Sequence, residues 1–553
     1  MKLKSYFKSG EAWIWLNAAA VAICLVMVVG IISLIAYRGL SYFWPSDILQ
    51  IEVNQDGSEQ TLIGELYDKR TDPASVLSNS GINLPAGIEP GDPITRWSIK
   101  MGNKDLGGPD FTWIAQPFVT TVSKPDDLIK LERLEYGNLY GRLQSVTIDG
   151  KTAMGPDAWQ PLQSAVERSN ELHDQIDSIE SGKMNRVNAA RTQVTMDERK
   201  AMLDGDITAE QKQGFADRRA ELQLKTDAYQ KELDVLYAAV ARDSAVFTVA
   251  GGTETTVPVA KILEATKPNA MGVVTKTGHY FKNLWHFLSD NPREANTEGG
   301  VFPAIFGTVV MVFIMTIIVT PLGVIAAIYL REYAKQGRVT QLVRVAVNNL
   351  AGVPSIVYGV FGLGFFVYLI GGTIDDLFYP EASPQPVFGT PGLLWASITL
   401  ALLTLPVVIV ATEEGLSRIP RNLKEGSLAL GATKAETLWR VILPVVTPSM
   451  MTGMILAIAR AAGEVAPLML VGVVKLAPEL PLDFTAPFLH LDRKFMHLGF
   501  HIYDVGFQSP DVEASRPLVY ATSFLLVLVI AMLNLTAIYI RNRLREKYKA
   551  LES

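Results

Sequence analysis

The stretch "EEGLSRIPRNLKEGSLALGATKAETLWRVILP", residues 413–444, lies between two long apolar runs and decides how the rest of the chain is read. Pro420 can begin a short helix, and Leu423, Leu428 and Leu430 give that helix an apolar side. Gly431 suits the left-handed position that ends a helix. Thr433 can cap a second helix, and Glu436, three residues on, completes a capping box. Pro444 marks a break or the beginning of the next apolar run. The spacing predicts a helix–glycine–helix elbow, too apolar for a solvated loop. On the pattern alone it is either an amphipathic loop lying on lipid or an elbow that docks elsewhere.

Around the elbow, long apolar runs occupy about 14–37, 301–330, 344–371, 391–412, 447–474 and 517–540. Each exceeds the roughly 18–20 residues that cross a bilayer as a helix. The first could be a secretory signal, but its apolar stretch is long for one and no clear cleavage site follows, so an uncleaved anchor is expected. Lysine and arginine in short loops set orientation. They gather at Lys2, Lys4 and Lys8, at Arg331, Lys335, Arg338 and Arg344, at Arg418, Arg421, Lys424, Lys434 and Arg440, and at Arg541, Arg543, Arg545, Lys547 and Lys549. With six spans these segments share one side, so both termini are expected in the cytoplasm. Segment 372–389 has no lysine or arginine and 475–516 has four.

Residues 40–298 then fall outside the cytoplasm. Short strands are expected over 111–154, with a hairpin turn at Asp149-Gly150. The triplet Gly150-Lys151-Thr152 mimics the end of a phosphate-binding loop, but no glycine stands at 145, so the spacing fails. A helical hairpin is expected over about 157–242, interrupted near Asp204-Gly205. Leu162, Val166, Ser169, Leu172, Ile176 and Ile179 recur on one limb, and Leu222, Tyr229, Leu233, Leu236 and Val240 on the other. That stripe is a seam between limbs or a docking surface. Strand followed by turn is expected over 245–263. No catalytic constellation is visible in this block.

Net charge is −6 over 553 residues, which gives no reason to expect nucleic-acid binding. The single Cys24 excludes an internal disulfide, and six scattered histidines leave little for zinc. His497 and His501 have helical i, i+4 spacing that two metal ligands could use. With His490 they read as surface or packing residues of an extracytoplasmic loop, because no third ligand is evident.

The run "ILAIARAAGEVAPLML" (455–470) places Arg460 and Glu464 inside an expected span, four residues apart and so on one helix face. Charges there usually face a polar cavity or a partner. The pair could lock two helices together or line a substrate path. Arg460 offers a planar fork of donors for an oxyanion. Glu464 could accept a hydrogen bond from an oxyanion that keeps an O–H group, which a fully ionised oxyanion lacks. Ser355 and Tyr358, after a Gly352-Val353-Pro354 break, could add neutral donors; the break could equally be a packing kink.

The elbow resembles the "EAA loop" of ABC importer membrane subunits, E-A-A-x-x-x-G followed by I-x-L-P. Here stand Glu425, Gly431 and Val441-Ile442-Leu443-Pro444, with Gly426 and Ser427 in place of the two alanines. "GGVFPAIFGTVVMVFIMTIIVTPLGVIAAIYLREYA" (299–334), "NNLAGVPSIVYGVFGLGFF" (348–366) and "ARAAGEVAPLML" (459–470) resemble phosphate permease segments. Ala466-Pro467-Leu468 points to the PstA-type subunit. The resemblance covers about 240 residues and the first anchor, and leaves 40–298 unassigned.

The resemblance implies a polytopic α-helical membrane protein. It would have six transmembrane helices of ABC importer permease type and a large α+β extracytoplasmic insertion containing a helical hairpin. The expected divisions are 1–39 (stub and anchor), 40–298 (insertion), 299–545 (permease core with the elbow 413–444) and 546–553 (cytoplasmic tail). By the same resemblance, Glu425, Leu428, Gly431 and Ala432 would couple to a separate cytoplasmic ATPase dimer, since no Walker motif occurs here. ATP and Mg would bind that partner and no cofactor this chain, which would be a transport subunit and not an enzyme. Arg460, Glu464, Ser355 and Tyr358 would line the path of inorganic phosphate. The further expected partners are a homologous PstC-type permease, a periplasmic phosphate-binding protein and membrane lipid, in a bacterial inner membrane. The alternatives are a permease for sulfate or molybdate, or a signalling or scaffold protein acting through the hairpin.

Overall fold

The computed structural model describes residues 11–55, 58–85, 87–205, 207–293, 296–509 and 512–548; Lys2, Lys4, Lys8 and Lys549, used above for orientation, and the tail beyond 548 lie outside the described residues. The chain divides into two compact units, one of residues 1–42, 289–291 and 301–553, the other of 43–288 and 292–300.

Among the described residues the first unit holds six helices long and apolar enough to cross a bilayer: Trp13–Ser41, Phe302–Tyr333, Ser355–Phe378, Leu393–Ser417, Lys434–Ala462 and Ser515–Glu546. The fourth is the most enclosed, with 67% of its apolar window buried. It packs between the second and the fifth. Met311, Met315 and Val319 meet Leu400, Ala401 and Val408, and Ala457, Ile458 and Ala461 close the same core. The sixth lies against the fifth and the first.

Two spans differ from expectation. The third begins at Ser355, not at 344. Residues Arg338–Leu350 form a separate amphipathic helix, and the Gly352-Pro354 break sits before the span instead of inside it. Polar residues on one side of 338–350 keep that helix out of the apolar run that follows. The fifth span begins at Lys434, so the second limb of the elbow and the span are one helix running to Ala462; Pro444 lies within it, just after a wide turn at Leu438–Ile442. The helix then stops before the expected 474, because Pro467 can neither donate to it nor fit behind it.

Among the described residues the second unit contains two large antiparallel sheets and a two-stranded one that pairs Pro292–Arg293 with Glu298–Gly299. In the first, β1 (Ile48–Gln55), β2 (Ser58–Pro73), β3 (Pro93–Lys100), β4 (Phe111–Ala115) and β5 (Val119–Ser123) run in the order β4-β3-β2-β1-β5. In the second, β6 (Ile129–Arg133), β7 (Leu139–Ile148), β9 (Ser244–Thr248), β10 (Glu254–Pro258) and β11 (Ile262–Thr266) run β10-β9-β7-β6-β11, with β8 (Lys151–Met154) on β7. Asp149 and Gly150 have φ of 52° and 75°, the paired left-handed turn that a tight hairpin needs.

The hairpin leaves this second sheet. Its first limb is Trp159–Asp177, a wide turn Ser178–Met184 and Asn185–Asp204; its second is Ala209–Val240, started by a Thr208/Gln211 capping box. Ile176 and Ile179 pack on Leu233 and Val240 as a seam. Leu162 and Val166, which share the seam's spacing, instead face Leu131, Val146 and Phe247 of the sheet. One stripe thus serves two surfaces in succession. The unit closes with the helix Val273–Ser289.

Candidate functional site

The third span starts where Pro354 breaks the chain, which leaves carbonyls of the preceding helix without helical partners. The Tyr358 hydroxyl reaches back and donates to Leu350 O at 2.6 Å. Tyr358 therefore spends its proton on the backbone and is not the free donor expected of it. Its phenol oxygen retains acceptor capacity. Ser355 is half-buried at the first helical position, one turn earlier, and no hydrogen bond joins it to the charged pair.

Arg460 occupies the last turn of the fifth span. Glu464 lies past the helix end, beyond Gly463, where the chain turns through Glu464 N–H to Ala461 O at 3.2 Å and Leu468 N–H to Val465 O at 3.0 Å. The two are thus not on one helical face. The bend still brings the carboxylate to 3.6 Å from Arg460 Nε, too far for a good hydrogen bond but close enough for an ion pair. Arg460 Nε is buried and has no hydrogen-bond partner among the described residues.

What brings the third span against this bend is Gly359. A Cβ there would stand 2.7 Å from Pro467 Cα, so the helix approaches the bend as closely as only glycine permits. Arg460, Glu464 and Tyr358 therefore converge where a broken helix start meets a broken helix end.

The elbow is built as its residues dictate. Arg421–Ala429 is a helix, Gly431 has φ of 87°, and Thr433 and Glu436 form the capping box that starts the second limb. Glu425 and Leu428 are exposed, Leu430 is 91% and Trp439 71% exposed, and Ala432 is half-buried with its N–H on Ser427 O. Two ion pairs escaped the sequence reading because their partners are distant in the chain. Lys424 pairs with Glu332 at the end of the second span. Arg344 binds Glu413 of the fourth span at 3.1 Å and Leu330 O at 3.1 Å. They tie the elbow and the amphipathic helix to the second and fourth spans.

The histidines are not surface residues. His497 caps the helix Leu498–Tyr503 from a non-helical position, its Nδ1 accepting from Gly499 N–H at 3.1 Å. Burial pushes His497 down to about 3. Burial also takes His501 down to about 4, against an upward pull from Asp504 and with Lys475. Both are neutral packing groups near pH 7. Having left the helix, His497 does not share a ligating face with His501. Among the described residues no group of three or more His, Cys, Asp or Glu could hold a metal. His490 Nε2 lies 3.0 Å from Asp483, which Arg493 also binds at 2.6 Å.

Residues 319–548 match the family described as binding-protein-dependent transport system inner membrane component. Over 200 residues the chain is 36% identical to the phosphate transport system permease protein PstA 1 of Mycobacterium tuberculosis, covering 36% of this chain and 58% of that protein. It is 33% identical to the probable ABC transporter permease protein YqgH of Bacillus subtilis, over 35% of this chain and 60% of that one. It is 32% identical to the probable phosphate transport system permease protein PstA of Methanocaldococcus jannaschii, over 34% and 60%. The chain thus spans at most about three fifths of the length of these relatives. A solved inward-facing MetNI methionine ABC transporter shares 18% identity at a TM-score of 0.32, over 50% of this chain and 99% of that chain.

Proposed function

We propose that the chain, whose residues 319–548 match the family described as binding-protein-dependent transport system inner membrane component, is the PstA-type permease subunit of an ATP-driven importer of inorganic phosphate. It forms half of a translocation path, with a PstC-type permease as the other half. A separate ATPase dimer, carrying ATP and Mg, docks on the elbow through Glu425, Leu428, Gly431 and Ala432. A phosphate-binding protein delivers the anion from the opposite side. The membrane is the bacterial inner membrane, with both termini in the cytoplasm and the second unit outside it.

One observation carries the reading: a half-buried arginine whose buried Nε donor is unused, partly compensated by a carboxylate 3.6 Å away. Arg460 supplies donors and charge to an oxyanion. Glu464 accepts from a protonated phosphate oxygen, and stands unpaired and repelled when the anion is sulfate. Tyr358 keeps the helix start closed over Leu350. The exposed Leu430 and Trp439 suit an apolar cleft on a partner better than water. The Lys424–Glu332 pair carries motion of the elbow into the second span, and Arg344–Glu413 ties the amphipathic helix 338–350 to the fourth.

The test is phosphate uptake in cells without their own high-affinity system, expressing the chain with its cognate subunits as wild type and as Glu464→Gln, with sulfate as competitor. The expected result is uptake by wild type and a lost preference for phosphate in the variant, since a hydrogen bond to a charged group contributes about 1.5–3 kcal/mol, or roughly 10–150-fold. An indistinguishable variant would remove Glu464 from selectivity. No uptake with all partners present would sink the importer reading, and uptake of sulfate or molybdate instead would reassign the substrate.

A further inference from the structure

The helix Val273–Ser289 has two apolar faces, and only one is covered. On the covered side, Phe287 and Tyr280 hold Phe43, with ring centroids 5.1 and 6.4 Å apart. Asn283 donates to Phe43 O at 3.2 Å, and Lys276 pairs with Asp47. Hydrogen bonds from Lys124 and then Lys276 hold the Asp47 carboxyl below its usual range. On the opposite side Val274, Phe281 and Trp285 are 87%, 63% and 67% exposed. Their spacing of seven and four residues stacks them in one stripe along the helix. His279, Lys282 and His286 occupy one flank, where Lys282 and His279 lie 2.8 and 3.4 Å from Glu264, and no acidic residue lies between 273 and 289.

The covalent chain says what lies nearby. Ser41 closes the first membrane span, and Phe43 follows two residues later. At 3.8 Å per residue, the anchor point of this helix stands within about 8 Å of the end of a transmembrane helix. Tyr42 and Trp44, on either side of Phe43, are 43% and 42% exposed. Tryptophan and tyrosine gather at the headgroup level because their rings are apolar bodies with a polar edge. An amphipathic helix with Phe and Trp on one face and cationic residues beside them lies in that interface.

The geometry points to Val273–Ser289 as an interfacial helix whose Val274, Phe281 and Trp285 stripe inserts into the bilayer surface at the point where the second unit leaves the membrane. The occupant is lipid: the helix is held to Phe43, two residues after the first span ends, and Tyr42 and Trp44 are residues of the headgroup level. The helix fixes the base of the second unit on the membrane through Phe43 and Asp47. This inference rests on the membrane spans and not on the transported substrate, so it stands or falls apart from the phosphate reading.

The test uses the full chain in bilayers of phosphatidylethanolamine and phosphatidylglycerol. In a Cys24→Ser background, Phe281→Cys, Trp285→Cys, Thr275→Cys and Leu203→Cys each carry a spin label. Accessibility to oxygen, which concentrates in lipid, is compared with accessibility to a water-soluble nickel chelate. The oxygen-to-nickel quotient is expected to be several-fold higher at 281 and 285 than at Leu203, an exposed apolar residue at the far end of the hairpin limb, with 275 between. Equal quotients at 281, 285 and 203 would place the stripe in water and overturn the proposal. Labels at 281 and 285 shielded from both reagents would mean that protein covers the stripe, and would overturn it equally.

Discussion

Replacing Gly359 with alanine adds one methyl group at the closest approach between the third span and the bend after the fifth. The added carbon would stand 2.7 Å from Pro467 Cα, 3.0 Å from Pro467 O and 3.1 Å from Leu470 Cδ1. Comfortable carbon–carbon contacts begin near 3.5 Å, so the backbone at Pro467 must retreat by about 0.8 Å. Backbone yields less readily than a side-chain tip, and overpacking of this kind costs about 1–3 kcal/mol. Pro467 lies three residues after Glu464, and Gly359 one residue after Tyr358. The retreat therefore opens the group Arg460, Glu464 and Tyr358 instead of being absorbed elsewhere. Misplacement by about 1 Å can lower a rate that depends on positioning by up to about a hundredfold. The expected outcome is a fall of about tenfold or more in maximal phosphate uptake, with the complex still assembled. Gly364→Ala is the control: same helix, same methyl, and nothing within 4 Å of the new carbon. It should transport as wild type and be slightly stabilised, because alanine restricts the unfolded chain. Uptake is measured beside co-purification of the partner subunits. If Gly359→Ala transports like Gly364→Ala in an assembled complex, the bend is not a functional position and the reasoning fails.

Gly431→Val tests the elbow by backbone alone, since φ is 87° there and nothing lies within 4 Å of a new Cβ. A β-branched residue in that region costs about 1–2 kcal/mol; less ATPase should co-purify and uptake should fall, whereas an unchanged ATPase yield would remove the elbow from docking. Asp483 tests the loop after the fifth span. Burial raises its carboxyl, but Arg493, the Thr485 amide and His490 outweigh that and hold it at about 2. A depressed carboxylate stabilises above its unfolded value near 4 and loses that contribution as pH falls through about 2. The full shift corresponds to about 2 kcal/mol, reduced to about 1 because the side chain is 31% exposed. Asp483→Asn should lower the thermal midpoint at pH 7, with the difference shrinking as pH drops from 4 towards 2; a difference independent of pH would refute the ionic account.

How far the sequence carried this reading depended on how local each signal was. The six spans, the Gly431 turn, the Thr433/Glu436 capping box and the Asp149-Gly150 hairpin turn are local in the chain, and all appear in the structure. Boundaries went astray where one apolar run covers two elements. Composition alone cannot separate Arg338–Leu350 from the third span, because only Pro354 divides them. Nor can periodicity tell that Leu162 faces a sheet while Ile176 faces the other limb. The charged pair was found from its cost in a membrane, but its i, i+4 spacing suggested one helix face. A helix end intervenes, so proximity was read correctly for the wrong reason. The helix Val273–Ser289 escaped the sequence reading although its amphipathic pattern is strong, because at 17 residues it is too short for a span. The ion pairs Lys424–Glu332 and Arg344–Glu413 join residues far apart in sequence, and nothing local announces them.

Under the proposed function, the helix end after Ala462 would let a path hold an arginine without trapping its anion. Arg460 sits in the last turn, where unpaired carbonyls carry partial negative charge. Glu464 adds a full negative charge at 3.6 Å. At that separation a pair interacts by about 1 kcal/mol in water and about 5 kcal/mol at the dielectric of a protein surface. The guanidinium is partly exposed, at 34%, so the value lies between these limits. Its charge is then substantially compensated before any anion arrives. An anion meeting Arg460 gains directed hydrogen bonds but little net charge attraction. Conduction requires sites favourable enough to occupy and weak enough to leave. A lone buried arginine would bind an oxyanion too firmly; one opposed by a carboxylate and a helix end offers donors without a deep well. On this argument Glu464→Gln should alter selectivity and also slow release. Turnover should then fall while apparent affinity rises, and a variant whose affinity falls together with its turnover would show that Glu464 assists binding rather than restrains it.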